Sequence, residues 1–80
     1  MTRIRQVEPL SGFAVRLHFT DGSSGVVDLG PHLRGPIFEP LRQDPALFRA
    51  VRVDPELGTI VWPNGADMDP DVLLQRATAG

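Results

Sequence analysis

Eighty residues, 41% of them hydrophobic, with no apolar run near the length of about eighteen that a bilayer span needs, describe one soluble globular domain over residues 1–80. Ten acids against eight bases give a formal net charge of -2, which argues against broad attraction to phosphate backbones. The absence of cysteine excludes a disulfide framework, a thiolate zinc site and a thiol nucleophile.

In chain order, Met1 to Gln6 alternates basic and polar residues instead of feeding an apolar signal core, so a cytoplasmic location is expected. Arg3 to Glu8 reads as an edge strand ended by Pro9 and the Ser11-Gly12 turn. In Phe13 to Phe19, Phe13, Val15, Leu17 and Phe19 alternate with Ala14, Arg16 and His18, the pattern of a strand with one buried face. Asp21-Gly22 then signals a two-residue hairpin turn, and Ser24 to Leu29 is the returning strand, with Val27 and Leu29 facing the core. Gly30 to Pro36 carries two Gly/Pro pairs and leaves room for one helical turn at most.

Ile37, Phe38, Leu41, Leu47 and Phe48 supply apolar bulk around Asp44-Pro45, where aspartate caps free amides and proline takes the first position of a short helix. Ala50 to Asp54 and Thr59 to Trp62 form a second hairpin across Pro55 to Gly58, with Ile60 and Trp62 on one face. Asp69-Pro70 repeats the helix start and opens a terminal helix of about two turns, with acids at its positive end and Arg76 at its negative end. The fold class is α+β. It comprises a small antiparallel sheet of about five strands, a three-stranded meander plus a hairpin, with two or three short helices on one face.

Trp62 to Pro70, "WPNGADMDP", carries the sole tryptophan and the densest run of acids. The spacing of Trp62 with Ile60 assigns the indole to the core, so Pro63 to Ala66 is a tight turn in which Asn64-Gly65 supplies the unusual backbone angles. Asp67, Asp69 and Asp71 alternate like the opening of a calcium loop, but Val72 and Thr78 stand where that loop needs glycine and glutamate, and helix capping explains the acids at less cost. Gly30 and Gly35 have phosphate-loop spacing without the lysine and hydroxyl residue that grip phosphate. Ser11, Ser23 and Ser24 lack a nucleophile-elbow context for His18 or His32 to serve. No catalytic residue, cofactor or metal site is assigned.

What remains is surface recognition. Asp54, Glu56, Asp67, Asp69 and Asp71 fall in a segment without a base, and with Asn64 and the outward Arg16 and Arg52 they are the candidate partner-binding residues. Their arginine and aspartate interspersion argues against direct DNA binding. A chain this short buries only about two thirds of its extended surface on folding, so a protein partner or a homodimer would add useful interface.

The residues Phe19-x-Asp21-Gly22, Val27-Asp28-Leu29, Phe38-x-x-Leu41 with Phe48, and the block from Trp62 to Leu73 together resemble a bacterial family, domain of unknown function 2442, over nearly the whole chain. The resemblance implies a small α+β fold that occurs alone or joined to a helix-turn-helix DNA-binding domain, with some members paired with another small protein in the toxin-antitoxin manner. The sequence ends at Gly80, so the fused DNA-binding part is not expected here. Three functions follow: an interaction module for a protein partner, antitoxin-like in kind; an acidic mimic of nucleic acid that inhibits a nucleic-acid-binding protein; and an enzyme using His18 or His32 with nearby carboxylates.

Overall fold

A computed structural model describes residues 2–79; Met1 and Gly80 lie outside the described residues. Three strands, β1 (Ile4–Pro9), β2 (Ala14–Phe19) and β3 (Ser24–Asp28), form an antiparallel meander in the order β1-β2-β3. A single 3-10 turn, Gly30–His32, fits between the Gly/Pro pairs. Two five-residue helices follow, α1 (Glu39–Gln43) and α2 (Pro45–Arg49), then the hairpin β4 (Arg52–Asp54) and β5 (Thr59–Val61), and last α3 (Pro70–Ala79).

The alternation read in β2 is realised in space. Val15, Leu17 and Phe19 are buried while Arg16 stays exposed. Val27 and Leu29 join them from the return strand, and Phe13, half-buried, meets Phe48 edge-on at 5.2 Å between ring centroids. The expected single sheet is instead two, because neither β4 nor β5 pairs with a strand of the meander. The link between the sheets is local: Ile4 donates its amide to the Gly58 carbonyl at 2.8 Å, and β1 packs against both strands of the hairpin.

Period two fails in β5, where Thr59, Ile60 and Val61 are all buried. This strand is covered on both faces, and the Thr59 hydroxyl is accommodated by donating to the Met68 carbonyl.

The turn at Asp21-Gly22 also differs from expectation. Gly22 donates to the Phe19 carbonyl at 3.1 Å and Phe19 to the Ser23 carbonyl at 2.9 Å, so the loop holds three residues, Thr20, Asp21 and Gly22. Only Gly22 takes a positive φ, +90°, and Asp21 avoids the strained region by sitting inside the turn.

The Asp-Pro starts hold. Asp44 accepts from the amides of Ala46 and Leu47 at 3.0 and 3.3 Å, and Asp69 accepts from Asp71 at 2.8 Å. The terminal helix is longer than expected, ten residues or nearly three turns. It packs on β3 where Gly25 leaves space: a Cβ there would lie 2.5 Å from the Ala77 carbonyl oxygen.

Candidate functional site

Trp62 is the anchor of the segment that carries the acids. Its ring is 2% exposed, stands 6.0 Å from the Phe48 ring and 6.3 Å from that of Phe38, and its Nε1 donates to the Phe48 carbonyl at 3.0 Å. After it the chain repeats the geometry of the first hairpin. Gly65 donates to the Trp62 carbonyl at 3.0 Å, Trp62 donates to the Ala66 carbonyl at 2.9 Å, and Gly65 alone takes a positive φ, +89°. Asn64 therefore does not share the unusual backbone angle expected of it. Its side chain works instead, accepting from the Ala66 amide at 3.1 Å and donating to the Ile37 carbonyl at 2.9 Å.

Beyond the turn, Asp67 bridges to Val61, the Met68 carbonyl takes the Thr59 hydroxyl, and Asp69 caps α3. Residues 67–69 are thus held as a ridge on the body of the protein. A shallow groove runs along each side of it. One, of about 250 Å³, is bordered by Phe38, Val72 and Leu73; the other, of about 400 Å³, by Leu57, Thr59 and Asp71; both share Asp67, Met68 and Asp69. Leu57 and Val72 are 55% and 43% exposed, an apolar contribution to this face that charge alone does not reveal. Leu57 sits in a turn and Val72 on the first turn of α3, so neither belongs to a periodic apolar stripe that would have announced it.

The remaining sequence candidates divide by what their side chains already do. Asp54 accepts from the amides of Glu56 and Leu57 at 2.9 and 3.2 Å, which shapes the β4-β5 turn. Glu56, Asp67 and Asp71 are exposed. Arg16 and Arg52 lie exposed on β2 and β4, opposite Glu8 and Val61, away from the ridge's own lining. Arg3, which the sequence did not single out, holds the same turn by donating to the Pro55 carbonyl and, at 3.0 Å, to that of Glu56.

Of the two histidines, His18 is half-buried, not fully outward as the strand pattern implied, with Nε2 3.4 Å from Glu8 Oε1 across the β1-β2 ladder. His32 lines the smaller groove together with Asp67 and Asp69. Among the described residues it makes no hydrogen bond to either carboxylate, and no hydroxyl residue lines that groove. No group of three or more metal-ligating side chains occurs among the described residues, and no helix among them is long and apolar enough to cross a membrane. The face can offer carboxylates beside apolar surface; it offers no assembled nucleophile, base and orienting group.

Comparison with known proteins gives three findings. The family described as "Protein of unknown function (DUF2442)" matches residues 4–79, nearly the whole chain. A crystal structure of a protein from Nitrosomonas europaea, provisionally named a DNA binding protein, is similar at 25% identity with a TM-score of 0.83. The similarity covers 99% of this chain and 50% of that one, so the chain spans about half the length of its structural relative. No curated protein matches.

Proposed function

The chain belongs to the DUF2442 family of proteins of unknown function, and on that premise we propose that it is a non-enzymatic interaction module whose partner-binding face is the ridge from Asp67 to Asp71. The observation that carries the reading is the pairing of two largely apolar grooves with exposed carboxylates on one ridge. The partner it suits is a protein that presents an apolar side chain next to arginine or lysine: the apolar group fills a groove beside Val72 or Leu57, and the cation meets Asp67 or Asp71. An antitoxin-like pairing with a second small protein is one form of this docking. A second copy of the chain is a poorer fit, since a two-fold interface on this face would oppose like charges.

Two other readings have less support. A nucleic-acid mimic needs a row of free carboxylates, whereas Asp54 and Asp69 each commit an oxygen to their own backbone amides. Direct DNA contact, suggested by the name of the Nitrosomonas protein, meets a net charge of -2 in this chain.

The test is co-expression of the chain with the products of its neighbouring genes, followed by size-exclusion chromatography with mass measurement. A stoichiometric complex is expected, lost in the double variant Asp67→Arg with Val72→Asp and kept in Arg16→Glu. Either the lack of any stoichiometric complex or one that survives the double variant overturns the proposal.

A further inference from the structure

On the other side of His32 lies a recess of opposite character. It encloses about 580 Å³ and is bordered by Val27, Asp28, Pro31, His32, Arg34 and Arg76. In a chain of net charge -2, two arginines and a histidine line one concavity, although Arg34 belongs to a loop and Arg76 to the last turn of α3. We propose that this recess binds the phosphate group of a small phosphate monoester.

The placement of each of these side chains is built into the fold. Leu33 is fully buried, and its amide donates to the Gly30 carbonyl at 3.2 Å, so the flanking His32 and Arg34 are set at the rim by an anchored turn. Arg76 is set by the close approach of α3 to β3, which depends on the missing Cβ of Gly25 beneath Ala77. A longer side chain at position 25 would lift the helix and carry Arg76 away from Val27 and Asp28.

The guanidiniums are also uncommitted. Arg3 and Arg49 spend theirs on backbone carbonyls of Pro55, Glu56 and Leu10. Among the described residues Arg34 and Arg76 make no such bond and have no carboxylate within ion-pair distance; the pair found there is His18 with Glu8. Asp28, the acid on the wall, turns Oδ1 to the Gly30 amide at 3.0 Å. Two planar forks and an imidazole N–H can serve more oxygens than a carboxylate has, and they match the three peripheral oxygens of a phosphate monoester. The apolar surface of Val27 and Pro31 and the volume of the recess leave room for the organic part of the ligand.

The test uses the whole chain, followed by amide NMR during titration with inorganic phosphate, glucose 6-phosphate and citrate. Saturable shifts are expected near residues 27–34 and 74–77, with the sugar phosphate binding more tightly than inorganic phosphate and citrate more weakly than either. Arg34→Gln and Arg76→Gln should each weaken binding about tenfold, as the loss of a charged hydrogen bond does, while Arg16→Gln leaves it unchanged. Shifts scattered over all exposed arginines, equal binding of citrate, or undiminished binding by both variants overturns the assignment. The wild-type shift map decides the matter even if a variant folds poorly. Failure here leaves the ridge proposal untouched, since the two faces share only His32 and are read by different ligands.

Discussion

The indole nitrogen of Trp62 and the carbonyl oxygen of Phe48 form a buried hydrogen bond at 3.0 Å between the end of the second hairpin and the end of α2. It joins two elements that no strand pairing connects, and it satisfies both polar atoms inside the core.

Replacing the indole by a phenyl ring keeps most of the apolar filling but removes one donor from the Phe48 carbonyl, which retains the Val51 amide at 3.3 Å. Loss of the bond in Trp62→Phe is therefore expected to cost about 0.5–1.5 kcal/mol, measurable as a lower urea midpoint. In the parent, the sole tryptophan reports its own release by a red shift of its fluorescence on unfolding, while the variant, which has none, is followed by circular dichroism. A variant as stable as the parent would show that the bond contributes nothing net.

Gly65 follows Asn64 at a φ of +89°, where a Cβ meets no neighbour but the backbone itself is unfavourable. Gly65→Ala is expected to lose about 1–2 kcal/mol, and Gly65→Asn less, because asparagine tolerates the left-handed region. Thermal melts of the pair distinguish a backbone cost from a steric one; equal losses would contradict the conformational account.

Gly25→Ala introduces a different fault, an atom 2.5 Å from the Ala77 carbonyl oxygen. Overpacking of this kind costs about 1–3 kcal/mol. The damage should be confined to α3, so faster hydrogen exchange in that helix with β1 and β2 unchanged is the expected signature. Uniform protection loss across the protein would mean that the helix and the meander unfold as one unit.

Asp21 is exposed, and its carboxyl is held below its ordinary pKa, first by the Ser23 hydroxyl and then by the Ser23 amide, at 2.6 and 2.8 Å. A depressed folded-state value means that the turn's stabilisation is present above the unfolded pKa and fades as the pH falls through the folded one. Ser23→Ala removes the larger cause. Carbon-detected titration of the Asp21 carboxyl should then show its pKa rising towards the ordinary value; an unchanged midpoint would discount the hydroxyl.

Much of this architecture was readable because its determinants are close in sequence. Asp44 and Asp69 cap helices within three residues of themselves, and proline after each fixes the first turn. α1 escaped notice because five residues containing Pro40 make no pattern, and its place is set by burial of Leu41. The joining of the two sheets depends on Ile4 meeting Gly58, a pairing that no local signal encodes. The same limit applied to function. The acids of the ridge are visible as a run of letters, while Leu57 becomes its neighbour only after folding, and Arg34 and Arg76 come to line one recess by the docking of α3.

The opening strand is sealed by residues made much later. Arg3 clasps the carbonyls of Pro55 and Glu56 while Ile4 bonds to Gly58. During synthesis the meander must wait with its outer border open until that second hairpin leaves the ribosome. Stalled nascent chains whose hairpin is still inside the ribosome should accordingly be cut by protease within residues 2–9, and those extended by a C-terminal linker that brings the hairpin out should resist.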